Sequence, residues 1–422
     1  MVVERGEVLP SDDWYRKYYW DLRKNAWGCA RCSNCKWVDS WELKSARFAN
    51  ICPAKGRYYF DAYTAQGKMD IALALVDGKL KYEDSPGLLD IIYRCDTCGG
   101  CDVQCKRVQD MEPLRVMLEI RSKLVGDGQL LPAHIPVIEG LRKEDNMMQR
   151  LKVERGKWAE GLKVKDLTKE KAEVCFHAGR QLSYDKELWK VARGAISLLT
   201  NAGVDVRIMG KDETCCGGRP YDMGYQGELT KYAEHNRDAW TTAGVKAVVT
   251  ACSDCYQAMK FVYPELGIDL KGIEVLHITE YLERLIKEGK IKLTKEVPMR
   301  VTYHDPCHLG RRANVYVPGE PIMGVYEPPR DILKGIPGVE LVEMERIKEY
   351  AWCCGAGGGV KEAYPDFALW TAGERKEEAK STGAEALATA CPWCERNFLD
   401  AVKDKGEKIK IYDIIELVQL AI

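Results

Sequence analysis

The sequence predicts an α/β protein in three parts: a helical N-terminal region, then two copies of one parallel α/β unit. Three observations predict it. Eighteen cysteines divide into eight in the first quarter of the chain and two later sets of five, with none left over. Five segments recur at a nearly constant offset: Cys353 lies 138 residues after Cys215, and Cys391 and Cys394 lie 139 after Cys252 and Cys255. A fixed period of that kind marks a duplication. Within each copy, short β-branched runs alternate with amphipathic stretches such as Lys190–Thr200 and Ile278–Lys287, the pattern of parallel strands joined by helices.

Residues 1–140 read as a helical domain wrapped around cysteines. Apolar residues in Met69–Val76 and Pro113–Val125 fall at helical spacing. Cys29, Cys32 and Cys35 form Cys-x-x-Cys-x-x-Cys, with Cys52-Pro53 behind them; Cys95, Cys98 and Cys101 repeat the triplet, with Cys105 beyond. Three thiolates on one tight loop and a distant fourth can hold a cubane 4Fe–4S cluster, and in two-cluster ferredoxins the fourth cysteine of one motif serves the other cluster. A ferredoxin-like domain follows, with Cys29, Cys32, Cys35 and Cys105 on one cluster and Cys95, Cys98, Cys101 and Cys52 on the second. The 16 residues between Cys35 and Cys52 include Trp37, Trp41 and Phe48, and are expected to add a helix over the first cluster. A pair of zinc sites is the alternative, although zinc favours paired Cys-x-x-Cys hooks over triplets.

Residues 141–171, rich in Lys, Arg, Glu and Asp, read as a charged linker. The first unit then spans 172–296 and the second 297–422. Val174-Cys175-Phe pairs with Val301-Thr-Tyr-His-Asp-Pro-Cys307 as a strand ending at a cysteine; Cys215-Cys216-Gly217 pairs with Cys353-Cys354-Gly355, and Cys252-x-x-Cys255 with Cys391-x-x-Cys394. Ligands of open α/β sheets sit outside the carboxyl ends of the strands, so each set gathers at one sheet edge. Vicinal cysteines suit an open cluster in which one thiolate bridges two irons, and the glycine that follows permits close backbone approach. A buried thiol pair, a vicinal disulfide or a thioredoxin-type dithiol are the alternatives for the isolated motifs.

His304-Asp-Pro-Cys-His-Leu-Gly-Arg311, Cys353-Cys-Gly-Ala-Gly-Gly-Gly359 and Cys391-Pro-Trp-Cys394 resemble the CCG domain of heterodisulfide reductase-like proteins. The whole layout resembles the D-type subunit of that family. It is also similar to a subunit of the sulfite-reduction-associated membrane complex and to electron-input subunits near anaerobic acyl-CoA reductases. More distant are the iron–sulfur subunits of glycerol-3-phosphate and glycolate oxidases. The resemblance implies a non-cubane 4Fe–4S cluster on five cysteines of each complete domain: Cys175, Cys215, Cys216, Cys252 and Cys255 in the first, Cys307, Cys353, Cys354, Cys391 and Cys394 in the second. The first unit departs from the family wording, since Cys175-Phe-His-Ala-Gly-Arg lacks the His-Asp-Pro lead-in. The implied activity is reduction of a disulfide or related small molecule at the repeats, fed through the two cubane clusters. Its rival is an electron-transfer subunit feeding a separate catalytic subunit of an anaerobic complex. Implied partners are a flavoprotein, a cytochrome b or a catalytic reductase subunit.

His304 and His308 bracket Cys307, and His177 follows Cys175; each reads either as a proton or hydrogen-bond donor to cluster sulfur or substrate, or as a structural histidine. Arg311 and Arg312 read as ligands for a carboxylate or phosphate or as surface residues. Gly357-Gly358-Gly359 lacks the Lys-Ser/Thr of a phosphate loop, so close packing is expected there. No nucleotide fingerprint appears, which assigns flavin or NAD to a partner. A net charge of −1 argues against nucleic acid or an anionic membrane face as partner. No run approaches the roughly 20 apolar residues of a membrane span. Met1–Tyr19 has no apolar core and carries Asp12, Asp13, Arg16 and Lys17, unlike a secretory signal. Dense cysteine without an export signal points to a reducing cytoplasm, with any membrane attachment supplied by a partner.

Overall fold

The computed structural model describes residues 22–313, 324–406 and 408–422; the segment Met1–Tyr19 lies outside them. The two α/β units are parallel sheets. In the first, β1 (Lys165–Asp166), β2 (Val174–His177), β3 (Val206–Ile208), β4 (Ala247–Thr250) and β5 (Glu274–His277) lie in the order β1-β3-β2-β4-β5. In the second, β6 (Met299–His304), β7 (Val339–Leu341), β8 (Ala386–Thr389) and β9 (Lys410–Asp413) lie in the order β7-β6-β8-β9. The central registers correspond: His177 pairs with Thr250, and His304 with Thr389.

Helices cover the sheets because their apolar residues fall on one stripe. Helix Trp189–Asn201 turns Val191, Ala195, Leu198 and Leu199 inward, and Ile278–Lys287 turns Leu282 and Leu285 inward. Each unit's last strand runs into a helix started by a capping box, from His277 with Glu280 and from Asp413 with Glu416, which satisfies N–H groups a helix cannot bond itself. The units meet where Trp189–Asn201 crosses Ile414–Ala421. A Cβ at Gly194 would stand 2.9 Å from Ile415 Cγ2 and would displace the Gln419 side-chain amide, so the glycine lets the two helices pack closely.

The N-terminal region is helical, with Ala65–Val76 and Pro113–Gly126 as its longest described helices. Two expectations are corrected by the fold. The insertion between Cys35 and Cys52 forms one short 3₁₀ turn, Ala46–Phe48, not a helix over a cluster. It reaches across to the second unit: Ser45 hydrogen-bonds Glu345, and Arg346 donates to the Asn50 carbonyl. The stretch 141–171, expected as a charged linker, is folded onto the first unit. Trp158 and Leu167 are buried, β1 extends the sheet against β3, and buried Arg155 pairs with Glu213 at 2.9 Å. Leu141, Met147, Trp158 and Leu167 anchor the segment by burial, and Asn146 and Arg155 are buried with them.

Candidate functional site

None of the eighteen cysteines is in a disulfide. The N-terminal eight line two cavities. Cys29, Cys32, Cys35 and Cys105 surround one, with Ala65, Met69, Met111 and Pro113. Cys52, Cys95, Cys98 and Cys101 surround the other, with Pro53, Ala54, Leu114 and Met117. The spaces hold about 370 and 430 Å³, their mouths included. Both triplet loops curl in the same way. The residues flanking the middle cysteine are left-handed: Arg31 (φ 59°) and Ser33 (φ 70°) in one, Thr97 (φ 49°) and Gly99 (φ 72°) in the other. Left-handed backbone costs a non-glycine residue about 1 kcal/mol, and here it turns successive cysteines toward one space. Cys52 caps helix Pro53–Tyr58, where proline loses no hydrogen bond because first-turn N–H groups are unpaired anyway. Four thiols in an otherwise largely apolar lining are a donor set that fits an iron–sulfur cluster.

The second α/β unit brings Cys307, Cys353, Cys354, Cys391 and Cys394 together, all buried. Cys307 lies three residues beyond β6, and Cys391 caps helix Pro392–Lys405 with Cys394 in its first turn. Cys353 packs against Cys307 and, from the N-terminal domain, Cys98, with Cys354 next to it in sequence. Cys354 in turn contacts Cys394, and Cys394 contacts Cys391. Sulfur therefore runs without interruption from the second N-terminal cavity into this unit. Hydrogen bonding from Cys353, with help from His308 and Arg311, brings the buried Cys307 thiol down to about 6.

His304 sits against this set, its ring nitrogen and the sulfurs of Cys354 and Cys394 lying within 4.8 Å of one another. Arg375 Nε donates to His304 Nδ1 at 3.2 Å, which turns the other ring nitrogen toward the sulfurs. His308 Nδ1 lies 3.3 Å from Cys307 Sγ, and its Nε2 lies 3.2 Å from Asp222. Burial and Arg312 oppose its charge, yet Asp254, Cys307 and Asp222 together raise it to about 10. Arg311 and Arg312 are neither surface residues nor an open anion site. Arg311 donates to the carbonyls of Cys98, Glu349 and Ala351 at 2.6, 3.0 and 2.5 Å. Arg312 grips Asp222 through two nitrogens at 2.6 and 2.8 Å and reaches the Thr97 carbonyl. Both fasten the second unit to the Cys98 loop. The triple glycine lies flat on that loop: a Cβ at Gly357 would meet Asp96 O at 2.4 Å and one at Gly358 would meet Cys95 O at 2.7 Å. Arg121, which the sequence did not single out, completes the joint by donating to the carbonyls of Asp222, Gly358 and Cys95 at 2.9, 2.8 and 2.7 Å.

In the first unit Cys216 contacts Cys215 and Cys255, and Cys255 contacts Cys252. Cys252 also contacts Cys391, so the two sets touch. His177 faces Cys216 as His304 faces Cys354. Cys175 does not join them. It lies within β2, fully buried. Arg180 approaches the set instead, its Nη1 3.6 Å from Cys215 Sγ. Arg180 and Arg219 both pack on the ring of Trp393 from the other unit, at 5.1 and 3.7 Å.

Tandem α/β units carrying Cys-Cys-Gly and Cys-x-x-Cys at their sheet edges, joined to a domain with two four-thiol cavities, define an iron–sulfur oxidoreductase subunit. The model of the cysteine-rich domain family, CCG, matches residues 174–260 and 301–398. The chain is 33% identical over 408 residues to the D-type subunit of the dihydromethanophenazine:CoB–CoM heterodisulfide reductase of Methanosarcina acetivorans, covering 93% of each chain. It is 30% identical over 401 residues to the probable iron-sulfur-binding oxidoreductase FadF of Bacillus subtilis, covering 92% of this chain and 54% of that one. With the B-type subunit of the fumarate reductase (CoM/CoB) of Methanothermobacter marburgensis it shares 29% over 337 residues, 79% of this chain and 62% of that one. The chain belongs to the family of heterodisulfide reductase D-type subunits. Among the described residues no helix is long and apolar enough to cross a membrane.

Proposed function

We propose that this protein accepts electrons at two 4Fe–4S clusters, held by Cys29, Cys32, Cys35 and Cys105 and by Cys52, Cys95, Cys98 and Cys101. It delivers them to a non-cubane cluster held by Cys307, Cys353, Cys354, Cys391 and Cys394, where a disulfide or related small molecule is reduced. The observation that carries this reading is the contact of Cys98 with Cys353, which leaves no protein between the second cavity and the five-cysteine set. When bound, such clusters supply electrons singly, whereas disulfide cleavage takes two electrons and two protons. Proton supply falls to the chain: His308, held between Asp222, Asp254 and Cys307, carries a proton next to a thiol that burial would otherwise keep protonated. His304, held by Arg375, stands beside Cys354 and Cys394. The working site is the cytoplasm, with a flavoprotein, cytochrome b or reductase subunit as electron partner and any membrane contact made by that partner.

The test is anaerobic reduction of a small disulfide by the purified chain with an artificial one-electron donor. The reading expects turnover that disappears in Cys353→Ser together with about four irons. Loss of turnover with the iron intact would contradict the ligand assignment. A second reading, an electron-transfer subunit feeding a separate catalytic subunit, is favoured by the burial of the five-cysteine set, whose residues are all under 10% exposed. It predicts no disulfide reduction by the chain alone and electron delivery to an added partner.

A further inference from the structure

We infer that the two cysteine-rich units are not equivalent: Arg180 occupies the place of a fifth ligand in the first unit, which does not hold the cluster for which the second is built. This rests on the reading of the second unit given above and goes beyond it.

Strand register fixes which residues correspond. His177 on β2 pairs with Thr250, and His304 on β6 pairs with Thr389. Each of those threonines is followed by Ala and the first cysteine of its Cys-x-x-Cys. The two histidines are therefore the same position in the two units, and they face the same partners, Cys216 and Cys354. Three residues on from each stand Arg180 and Cys307. These too face the same partners. Arg180 Nη1 approaches Cys215 Sγ at 3.6 Å, where Cys307 contacts Cys353. Gly179 (φ 70°) presses the turn onto the thiols, since a Cβ there would stand 2.9 Å from Cys255 Sγ.

By the same register Cys175, opposite Val248, matches Thr302, opposite Leu387. It sits two residues before the histidine, about 7 Å back along the strand, and is fully buried within the sheet. It is not placed to close the set. The first unit thus offers four thiols and a guanidinium, which is permanently charged and donates but cannot ligate iron. Two of its nitrogens, Nε and Nη2, have no hydrogen-bond partner, and Nη2 lies 3.7 Å from the Asp254 carboxylate. A five-thiolate cluster does not fit this donor set, and a cubane does not either: Cys215 and Cys216 are adjacent, unlike the spaced thiols of the N-terminal loops, and Arg180 donates to Cys215. Arg180 instead places a fixed positive charge beside Cys215, and the thiols keep the wall against which Cys391 packs through Cys252.

The test is iron and acid-labile sulfide per chain on the anaerobically purified full-length protein. Wild type is compared with Cys175→Ser, Arg180→Cys and Cys307→Ser. The inference expects about 12 irons in wild type and in Cys175→Ser, and about 16 in Arg180→Cys, which regains a fifth thiol. About 16 irons in wild type, or a loss of about four on replacing Cys175, would overturn it. An Arg180→Cys protein that folds but stays at the wild-type count would overturn the role given to position 180; if that variant does not fold, wild type and Cys175→Ser still decide. Cys307→Ser separates the two readings: it should fall to about 8 irons, and an unchanged count there contradicts the second-unit cluster without bearing on position 180.

Discussion

The two α/β units share a scaffold and differ at one position beside their cysteines. Both carry a fully parallel sheet, a buried histidine at the end of the central strand, a left-handed glycine after the vicinal cysteines (Gly217 at φ 79°, Gly355 at φ 87°) and a capping box on the final helix. The second has Cys307 three residues past its histidine, and the first has Arg180. Only the second touches a thiol of the N-terminal triplets, through Cys98 and Cys353. Packing fixes the scaffold because every shared feature is buried and short of room. The ligand position lies in the turn beyond the strand, where a thiol or a guanidinium can be accommodated. The duplicated units keep the fold and differ at the residue three past the histidine, Arg180 in one and Cys307 in the other.

The largest expected effect sharpens this division. Cys353→Ser removes the contacts to Cys98, Cys307 and Cys354 and should lower turnover by about 10³-fold or more, roughly 4 kcal/mol of barrier. Cys215→Ser, its counterpart beside Arg180, should leave the iron count unchanged. Equal iron losses in the two variants would erase the distinction between the units.

Next is the joint that attaches the N-terminal domain. Arg121→Met strands three buried carbonyls, those of Asp222, Gly358 and Cys95, and should cost about 3 kcal/mol in denaturant unfolding. A change within about 0.5 kcal/mol would mean that these bonds do not hold the domains together. Gly358→Ala should cost about 1–3 kcal/mol, because it adds a clash with Cys95 O to a left-handed backbone (φ 57°). Gly203→Ala in the first unit, equally left-handed at φ 78° but with nothing within 4 Å, should cost about 1 kcal/mol. If the two glycines respond alike, close approach to the cysteine loop is not what Gly358 provides.

The smallest effect separates the two capping boxes. Burial holds His277 down to about 4 in the folded state, against 6.5 for a free imidazole. The unfolded chain then binds the extra proton first, so the stability His277 contributes is present above about pH 6.5 and is lost as pH falls toward 4. By pH 6 the loss should be about 1 kcal/mol. Burial pushes Asp413, at the same position of the second unit, the opposite way, above the carboxylate range, so its contribution does not fall over that window. His277→Asn keeps a good cap and removes the titration. Thermal unfolding of this variant should vary less between pH 6.5 and 5 than that of wild type, and an unchanged slope would exclude His277 as its source.

Much of this was legible in the sequence, for local reasons. The triplet loops are short, so their convergence follows from spacing, and the strand-helix alternation exposes both sheets. The duplicated Cys-Cys-Gly and Cys-x-x-Cys motifs mark the sheet edges. The Cys175–Cys307 match aligns cysteines, whereas the strand register sets Cys175 against Thr302. Matching Val174-Cys-Phe-His-Ala-Gly-Arg180 to Val301-Thr-Tyr-His-Asp-Pro-Cys307 on their histidines would have exposed Arg180. The stretch 141–171 looked solvated because composition does not show that Arg155 finds Glu213 across the fold. Arg311, Arg312 and Arg121 bond chiefly to backbone carbonyls far away in the chain, and such partners leave no mark in sequence.

The central claim is that the second N-terminal site and the five-cysteine set of the second unit form one connected path. Electron paramagnetic resonance of the stepwise-reduced protein tests it most directly. The account predicts magnetic interaction between the centre on Cys52, Cys95, Cys98 and Cys101 and the one on the second unit, collapsing to an isolated spectrum in Cys307→Ser. Independent, unperturbed signals in the fully reduced wild-type protein would contradict it.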